Sequence, residues 1–152
     1  MPDNQWKVFL DTNVLIAGLA SSQGASGVIL DLGEAEEIRI VISQYVLIEA
    51  DRIFLSKFPH LIDRFRVFIK NLAPLLIDDP KPQVVHEANK VIELGDAPIL
   101  AAVKSGSVDY LVTLDTKHFK TDKVREYVSI PIVTPGEFLE AFRAYWEQAG
   151  SP

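Results

Sequence analysis

The sequence contains no cysteine, a single methionine and only three histidines among its 152 residues. The absence of cysteine excludes a disulfide framework, a thiolate nucleophile and a zinc site with cysteine ligands. The histidines, His60, His86 and His118, are scattered along the chain. A metal ion in this protein would therefore be held mainly by oxygen ligands.

Long apolar runs are also absent. None approaches the roughly 20 residues that a membrane-spanning helix needs, and the N-terminus lacks the basic and apolar regions of a signal peptide. We therefore expect a soluble, cytoplasmic protein. Apolar residues still make up 48% of the sequence, which is enough for a substantial core, and no repeat or linker divides it. One domain covering residues 1–152 is predicted.

Basic residues are fewer than acidic ones, 15 against 21, which gives a formal net charge of −6 at pH 7. This balance argues against a nucleic-acid partner, because phosphate binding usually requires a basic surface. The objection weakens if some acids bind metal ions, since a divalent cation reverses the sign of the local field. Basic residues also cluster within 52–70 and 117–125, and each cluster is either a phosphate-binding surface or a solvated face.

Short apolar runs rich in β-branched residues alternate with helical patterns. Strands are predicted at residues 8–10, 38–42, 75–77, 110–114 and 130–133. Helices are predicted at residues 14–20, 26–35, 44–58, 61–72, 83–94 and 97–105, and again from residue 134. The alternation predicts an α/β sandwich of three layers, in which helices flank a mainly parallel central sheet.

The last predicted helix opens with Thr134, Pro135 and Glu137, a capping-box arrangement with proline in the first turn. The apolar residues that we expect it to bury are Phe138, Leu139, Phe142, Tyr145 and Trp146. The last three of these are also candidates for a dimer interface, and the alternative is that the helix packs only on its own core.

Four acidic residues lie where a parallel sheet usually places its binding site, beyond the carboxyl ends of the strands. Asp11 and Asp115 each follow a predicted strand directly. Asp96 opens a predicted helix with its side chain facing inward, and Glu49 lies on the apolar side of its helix. Burial of an unpaired carboxylate is costly, and a shared Mg²⁺ or Mn²⁺ ion, which prefers carboxylate oxygens, offsets that cost.

Each acid also has another interpretation when it is taken alone. Asp96 could cap its helix, and Asp11 and Asp115 could be turn residues after strands. Glu49 could reach water from the edge of the apolar face. His118, three residues after Asp115, is interpreted as a structural histidine and is not assigned to the site.

These motifs resemble a known family, the PIN domain. Residues 8–16, which read VFLDTNVLI, are similar to the opening strand of the family and its first acid. Residues 43–49 resemble its second motif, an acid on a helix, and residues 95–102 followed by 109–115 resemble its third and fourth acids with their spacing. The match covers nearly the whole chain. The sequence resembles especially the toxin components of bacterial toxin–antitoxin pairs.

The resemblance implies a PIN-like sandwich and a Mg²⁺- or Mn²⁺-dependent endoribonuclease that hydrolyses RNA phosphodiester bonds. The implied catalytic residues are Asp11, Glu49, Asp96 and Asp115. Asp11, Asp96 and Asp115 would lie closest to the metal, whereas Glu49 would be either a ligand or the group that orients and deprotonates the attacking water. Asn13 and Thr113 would position substrate and support the site through hydrogen bonds.

The number of metal ions stays open, because many relatives carry an extra acid beside the third one, where this chain has Leu94 and Gly95. The family also implies an antitoxin partner and a homodimer. Two other functions remain as alternatives: a non-catalytic PIN-like binding module, and an α/β phosphatase. An aspartyl phosphatase generally has a second aspartate two residues after the first, and Asn13 occupies that position here.

Overall fold

The structure is a computed structural model that describes residues 5–150. Its strands are β1 (Lys7–Leu10), β2 (Arg39–Ser43), β3 (Leu75–Ile77), β4 (Tyr110–Val112) and β5 (Ile132–Val133). Its α-helices are α1 (Thr12–Ala20), α2 (Ala25–Glu34), α3 (Gln44–Lys57), α4 (Ile62–Leu72), α5 (Pro82–Ala88), α6 (Ala97–Ser105), α7 (Thr116–Phe119), α8 (Asp122–Tyr127) and α9 (Pro135–Ala149). A 3₁₀ turn, Pro59–Leu61, joins α3 to α4.

The strands form one parallel sheet in the order β3-β2-β1-β4-β5. β1 lies at its centre, where Phe9 pairs with Val41 of β2 on one side and with Leu111 of β4 on the other. The strand order therefore reverses at β1, and in open α/β sheets ligands bind beyond the carboxyl ends of the strands at such a point. The predicted α/β fold, with helices flanking a parallel sheet, is confirmed.

The core explains why the strands read as continuous apolar runs. Val8, Phe9 and Leu10 of β1 are completely buried, as are Val41 and Ile42 of β2. A parallel sheet is covered by helices on both faces, so neither face of its central strands meets water. The sequence of a central strand then loses the alternation of polar and apolar residues that marks a half-exposed strand.

The helices α1 and α2 pack closely on each other after β1. A Cβ atom on Gly27 would lie only 2.6 Å from the backbone oxygens of Ser21 and Ser22, so glycine is required where α2 meets the preceding turn. Within residues 5–150, no single helix has the length and apolar character to cross a membrane. Only α1 and α2 taken together meet that test, and they are bent by 93° relative to each other.

Two elements end earlier than predicted. The helix expected over residues 83–94 stops at Ala88, and tight turns follow, in which Lys90 N donates to Glu87 O (3.1 Å) and Val91 N to Ala88 O (3.0 Å). Val91 and Ile92 still pack on the core, so the apolar pattern continues beyond the end of the helix. The strand expected over residues 110–114 likewise ends at Val112, and β5 is confined to two residues of the range 130–133.

The last helix begins as predicted. Glu137 N donates to Thr134 Oγ1 (3.2 Å), and Thr134 N donates to Glu137 Oε1 (2.8 Å), which completes the capping box. The prediction that its aromatic residues are all buried is wrong. Phe138 is fully buried, but Tyr145 and Trp146 are 47% and 50% exposed. Tyr145 packs on Trp6 (ring centroids 5.0 Å apart) and Trp146 on Phe142 (6.2 Å), so each ring covers part of the molecule and keeps its other side in solvent.

Candidate active site

Asp11 is held rigidly at the carboxyl end of the central strand. It is only 5% exposed, and it caps α1, because its Oδ1 accepts a hydrogen bond from Thr12 N (2.8 Å). Its Oδ2 accepts from the hydroxyl of Thr113 (2.8 Å). Burial raises the pKa of Asp11, and the nearby carboxylates of Glu49 and Asp115 act in the same direction, whereas the two hydrogen bonds oppose them.

Thr113 connects two of the predicted acids. Its side chain is fully buried, and its hydroxyl donates to Asp11 Oδ2 and accepts from Asp115 N (3.0 Å). The residue follows β4, the strand that pairs with β1, so the pairing of these strands sets its place beside Asp11. One hydroxyl thus fixes the carboxylate of Asp11 and the backbone at Asp115. The predicted role of Thr113 in positioning substrate stays a prediction.

Glu49 approaches Asp11 from α3 and is half-buried. Its Oε1 accepts a hydrogen bond from the hydroxyl of Thr12, and its Oε2 accepts from the hydroxyl of Tyr45 (3.3 Å), one helical turn earlier. The same Tyr45 hydroxyl lies 3.4 Å from Gly95 O, next to Asp96. Two hydroxyl groups therefore orient Glu49. Tyr45 is absent from the predicted site, although its spacing of four residues from an acid on one helix was a usable signal.

Asp96 stands at the N-cap position of α6, but its side chain makes no capping hydrogen bond. Its Oδ2 is buried and, within the described residues, has no hydrogen-bond partner. The interpretation of Asp96 as a helix cap is therefore wrong, whereas Asp11 and Asp115 do cap helices. Burial raises the pKa of Asp96 to about 6, with further contributions from the carboxylates of Asp115, Asp11 and Glu93. A buried carboxylate oxygen left in this state is costly unless a cation contacts it.

Asp115 lies in the loop after β4, and both of its oxygens contact His118. Oδ1 accepts from His118 N (3.0 Å), which caps α7, and Oδ2 lies 2.8 Å from His118 Nδ1. The ring also lies near two other acids: Nε2 is 3.4 Å from Glu93 Oε2, and Nδ1 is 3.8 Å from Asp96 Oδ2. His118, which the sequence analysis interprets as a structural histidine, thus contacts one of the predicted acids and lies near another, and whether it has a role in the site stays open to test.

Glu93 and His118 are not among the predicted site residues, although each lies three residues from a predicted acid, Glu93 before Asp96 and His118 after Asp115. The turns after α5 bring Glu93 back towards Asp96, and α7 turns His118 towards Asp115. The pKa of His118 is raised, chiefly by the hydrogen bond to Asp115, with the carboxylates of Asp115, Glu93 and Asp96 adding to it. The i, i+3 spacing of both pairs was the available signal.

Asn13 is exposed in the first turn of α1. Between residues 5 and 150, its side chain makes no hydrogen bond with the acids, so its predicted role in positioning substrate stays a prediction.

Some residues of the two basic clusters, 52–70 and 117–125, are already paired with acidic residues. Arg66 forms two hydrogen bonds with Asp51 (2.9 and 3.0 Å), and Lys120 pairs with Glu137.

The acids of this site come from four parts of the fold: Asp11 after β1, Glu49 in α3, Asp96 before α6 and Asp115 after β4. Their mutual repulsion contributes to the raised pKa values of Asp11 and Asp96. All four offer carboxylate oxygens as ligands, and one buried oxygen, Asp96 Oδ2, lacks a hydrogen-bond partner among residues 5–150. This donor set fits a hard divalent cation such as Mg²⁺ or Mn²⁺.

Solved structures with a similar fold include VapBC2 from Rickettsia felis bound to a DNA fragment from its promoter (TM-score 0.59, 20% identity, 83% of this chain and 96% of that chain covered). FitAcB from Neisseria gonorrhoeae is also similar (TM-score 0.60, 19% identity, 84% of this chain and 97% of that chain covered). A third similar structure is PAE2754 from Pyrobaculum aerophilum (TM-score 0.58, 15% identity, 89% of this chain and 88% of that chain covered). At these identities the likeness shows the fold. No curated protein matches this chain significantly. The sequence model of the PIN domain matches residues 7–117, and the chain belongs to the PIN domain family.

Proposed function

We propose that this protein is a metal-dependent endoribonuclease and the toxin of a toxin–antitoxin pair. The observation that carries the proposal is that Asp96 Oδ2 is buried with no hydrogen-bond partner in the part of the chain that the structure describes, and that nearby carboxylates raise the pKa of Asp96. A fold without a cation gains nothing from such an arrangement, because each added carboxylate makes the ionised state of its neighbours less favourable. Perturbed acids that converge at the switch point of a sheet are typical of a catalytic site.

Asp11, Asp96 and Asp115 would hold the metal. A carboxylate offers about four lone-pair sites, so Asp11 and Asp115 can keep their hydrogen bonds and still provide a ligand. A divalent ion bound there would lower the pKa of a water molecule and neutralise developing charge on a phosphate group. Burial of Asp11 and its hydrogen bonds with Thr12 and Thr113 keep the carboxylate in one orientation. The side chain therefore loses little conformational entropy when the ion binds.

Glu49 would orient the attacking water and accept its proton. Each of its two carboxylate oxygens accepts a hydrogen bond, one from the hydroxyl of Thr12 in α1 and one from the hydroxyl of Tyr45 in its own helix, α3. A general base needs this kind of fixed position within hydrogen-bond reach of the water that it activates. Glu49 as a metal ligand is the alternative that we keep.

RNA as the substrate, an antitoxin partner and a homodimer are parts of the same proposal. The family membership supports a nuclease, and the likeness in fold to VapBC2 and FitAcB supports an antitoxin partner. Arg52 lines a cavity of about 100 Å³ together with Glu49 and Tyr45, and it provides a positive charge beside the acids for a phosphate group. Lys117, exposed in α7 two residues after Asp115, provides another.

The test compares purified wild-type protein with Asp96→Asn on a panel of single-stranded and structured RNAs and on DNAs of the same sequences. Reactions contain Mg²⁺, Mn²⁺ or a chelator. We expect RNA cleavage that requires the metal and falls by roughly 100-fold or more in Asp96→Asn. Asp31→Asn, on an exposed position of α2, is the matched control and should cleave like the wild type.

Cleavage of DNA alone would reject RNA as the substrate and keep the nuclease. Equal cleavage by wild type and Asp96→Asn would identify a contaminant. Absence of cleavage under all conditions, from a protein that is folded, would reject the enzyme and favour a non-catalytic binding module. The antitoxin is tested separately, by co-expression with the product of the adjacent reading frame and measurement of the mass of the purified complex.

A further inference from the structure

A groove lined by aromatic rings lies at the end of the sheet opposite to the acidic site. It has a volume of about 300 Å³, and its lining comes from the end of α9, from Trp6 and from the segment that joins α2 to β2. Trp6 directly precedes β1, so the groove lies at the amino ends of the parallel strands. We call it the aromatic groove, and its main lining residues are Trp6, Glu36, Glu37, Phe142, Tyr145 and Trp146.

The rings of the aromatic groove are held in place by one another. The ring centroid of Trp6 lies 5.7 Å from that of Phe142 and 5.0 Å from that of Tyr145. Trp6 also packs on the fully buried Phe138 at 5.9 Å, which connects the group to the core. Tyr145 and Trp146 are nevertheless 47% and 50% exposed. Rigid aromatic faces that are open to solvent bind a ligand at a small cost in conformational entropy.

The acidic residues of the aromatic groove have no basic partner in the described part of the chain. Glu36 and Glu37 are both exposed, and neither forms an ion pair there. Arg143, the basic residue of α9, pairs with Glu147 at 2.9 Å. The face of an aromatic ring carries partial negative charge, and a carboxylate carries a full one. Both features of the groove therefore favour a cation.

Glu36 occupies a backbone position that suits glycine better. Its φ is 60°, in the left-handed region. Glu36 N donates to Gly33 O (3.1 Å) and Glu37 N donates to Leu32 O (3.0 Å), a pattern that closes the end of a helix and usually has glycine at this point. A use for the carboxylate accounts for an acid at a position where its backbone is strained.

We propose that the aromatic groove binds an arginine-bearing segment of a partner protein. A guanidinium group stacks on tryptophan and tyrosine faces and pairs with carboxylates, and the groove offers both. Nucleic acid and anionic lipid carry the same sign of charge as Glu36 and Glu37 and are repelled. A second copy of this chain also fits poorly, because a two-fold contact would place the groove against itself and bring the acids of both copies together. A homodimer would then use another face.

The proposal does not rest on the proposed nuclease. The PIN domain model matches residues 7–117, so Trp6 and the whole of α9 lie outside the match. A partner in the aromatic groove does not have to cover the catalytic acids, which lie at the carboxyl ends of the strands. Loss of the nuclease hypothesis would therefore leave the binding result unchanged.

Tryptophan fluorescence locates the binding, because the chain has only two tryptophans and both line the aromatic groove. The full chain is titrated with a short capped peptide of alternating glycine and arginine. The control is the same peptide with citrulline, a neutral residue of similar shape, in place of arginine. We expect a saturable change in emission with the arginine peptide and none with the citrulline peptide at the same concentrations.

Calorimetric titration then compares variants. The double variant Glu36→Gln, Glu37→Gln and the single variant Trp146→Leu should each bind the arginine peptide about fivefold or more weakly. The control Asp63→Asn, Glu126→Gln removes the same charge from exposed positions of α4 and α8 and should bind like the wild type.

Glu36→Gly removes the carboxylate and relieves the backbone. It should bind more weakly without a fall in unfolding temperature, so misfolding would not be the cause. Equal weakening in the control pair and in the groove variants would mean general attraction to an acidic protein and would reject the site. Binding of the citrulline peptide as tightly as the arginine peptide would also reject it. A wild-type dimer in sedimentation that Trp146→Leu dissociates, with no peptide bound, would assign the groove to a second copy instead.

Discussion

Thr113 shows how much can depend on one buried hydroxyl. Because it bonds to Asp11 Oδ2 and to Asp115 N, Thr113→Val removes both hydrogen bonds without a large change in side-chain volume. We expect the free energy of unfolding to fall by about 1 to 3 kcal/mol, the usual cost of leaving buried polar groups unpaired. We also expect the cleavage rate to fall by at least about tenfold, since two of the proposed metal ligands lose their support.

Thr113→Ser is the matched variant, because it keeps the hydroxyl and removes only a methyl group. It should retain most of the cleavage rate while losing some stability, measured by urea denaturation. If Thr113→Ser lost activity as severely as Thr113→Val, the hydrogen bonds would not be the reason for the effect.

Asp96 makes the stability of the metal-free protein depend on pH. Its pKa is raised from 3.8 to about 6, so the folded state binds this proton more tightly than the unfolded state does. Stability therefore falls as the pH rises from 3.8 to about 6, and the full cost applies above that range. In chelator above pH 6, Asp96→Asn should be more stable than the wild type by about 1 to 3 kcal/mol.

Thermal denaturation at several pH values measures this difference, and it should disappear below a pH of about 3.8. Asp31→Asn, fully outside the acidic site, serves as the control and should follow the wild type at every pH. A stability of Asp96→Asn equal to or below that of the wild type above pH 6 would contradict the cost that we assign to the ionised carboxylate.

At this scale the sequence predicts some site residues and misses others for a physical reason. Asp11 follows an apolar strand and Glu49 interrupts an apolar helix face, so both can be recognised from the sequence alone. Glu93 is exposed in the turns between Ile92 and Leu94, and His118 is half-exposed in the short helix α7. Their place in the site depends on how these segments fold back towards Asp96 and Asp115, and no local pattern of apolar residues records it.

At the scale of elements, the docking of α2 depends on Gly27. An added Cβ would lie 2.6 Å from backbone oxygens, which cannot move aside as a flexible side chain can. We expect Gly27→Ala to reduce the free energy of unfolding by about 1 to 3 kcal/mol, the usual cost of overpacking. Urea denaturation measures the loss.

Gly136→Ala makes the same chemical change in the first turn of α9, where no described atom outside the neighbouring residues and the helix backbone lies within 4 Å of the added Cβ. Alanine favours a helix over glycine by about 0.5 to 1 kcal/mol, so this variant should be as stable as the wild type or more stable. Equal losses in Gly27→Ala and Gly136→Ala would mean that packing at the turn before α2 is not the cause.

The start of α9 is stabilised by Glu137. Its pKa is lowered to about 2, first by Lys120 and then by the backbone N–H of Thr134. A lowered pKa contributes stability above the ordinary value of 4.5, and that contribution is lost as the pH falls from 4.5 to about 2. Because the side chain is 48% exposed, solvent screens the pair, and Glu137→Gln should cost about 0.5 to 1 kcal/mol at pH 7.

The stability lost in Glu137→Gln should shrink as the pH is lowered from 4.5 to about 2, and thermal denaturation measures this change. Glu140→Gln, which replaces an exposed acid of the same helix, is the control. A cost that stayed constant with pH would show that the charge of Glu137 is not involved. The neutral amide of glutamine can still accept the bond from Thr134 N, so the comparison isolates the charge.

The elements were predictable to the extent that burial dictates their sequence. The central strands are apolar throughout because both faces of the sheet are covered, and Thr134 with Glu137 marks the start of α9. The ends were less predictable. After Ala88 the chain still buries Ile92, but its backbone forms tight turns, and an apolar pattern cannot distinguish these from another helical turn.

At the scale of the whole molecule, the net charge of −6 and the grouped acids lead us to expect that divalent ions stabilise the folded state. An ion that binds only the folded state stabilises it by about 2.7 kcal/mol at a concentration 100 times its dissociation constant. We expect the unfolding temperature to rise with added Mg²⁺ or Mn²⁺ and to rise much less in Asp96→Asn. The same rise with NaCl at equal ionic strength would mean general screening of charge rather than binding.

The position of β1 between β2 and β4 has a consequence for the synthesis of the chain. Of the four acids, Asp11 and Glu49 belong to the first third of the sequence, and Asp115 joins them only when β4 pairs with β1 across about a hundred residues. Such distant pairings form late, because the intervening loop must close first. The proposed nuclease would therefore stay inactive on the ribosome until nearly all of the sheet had been translated, and this interval would allow the proposed antitoxin to be made first.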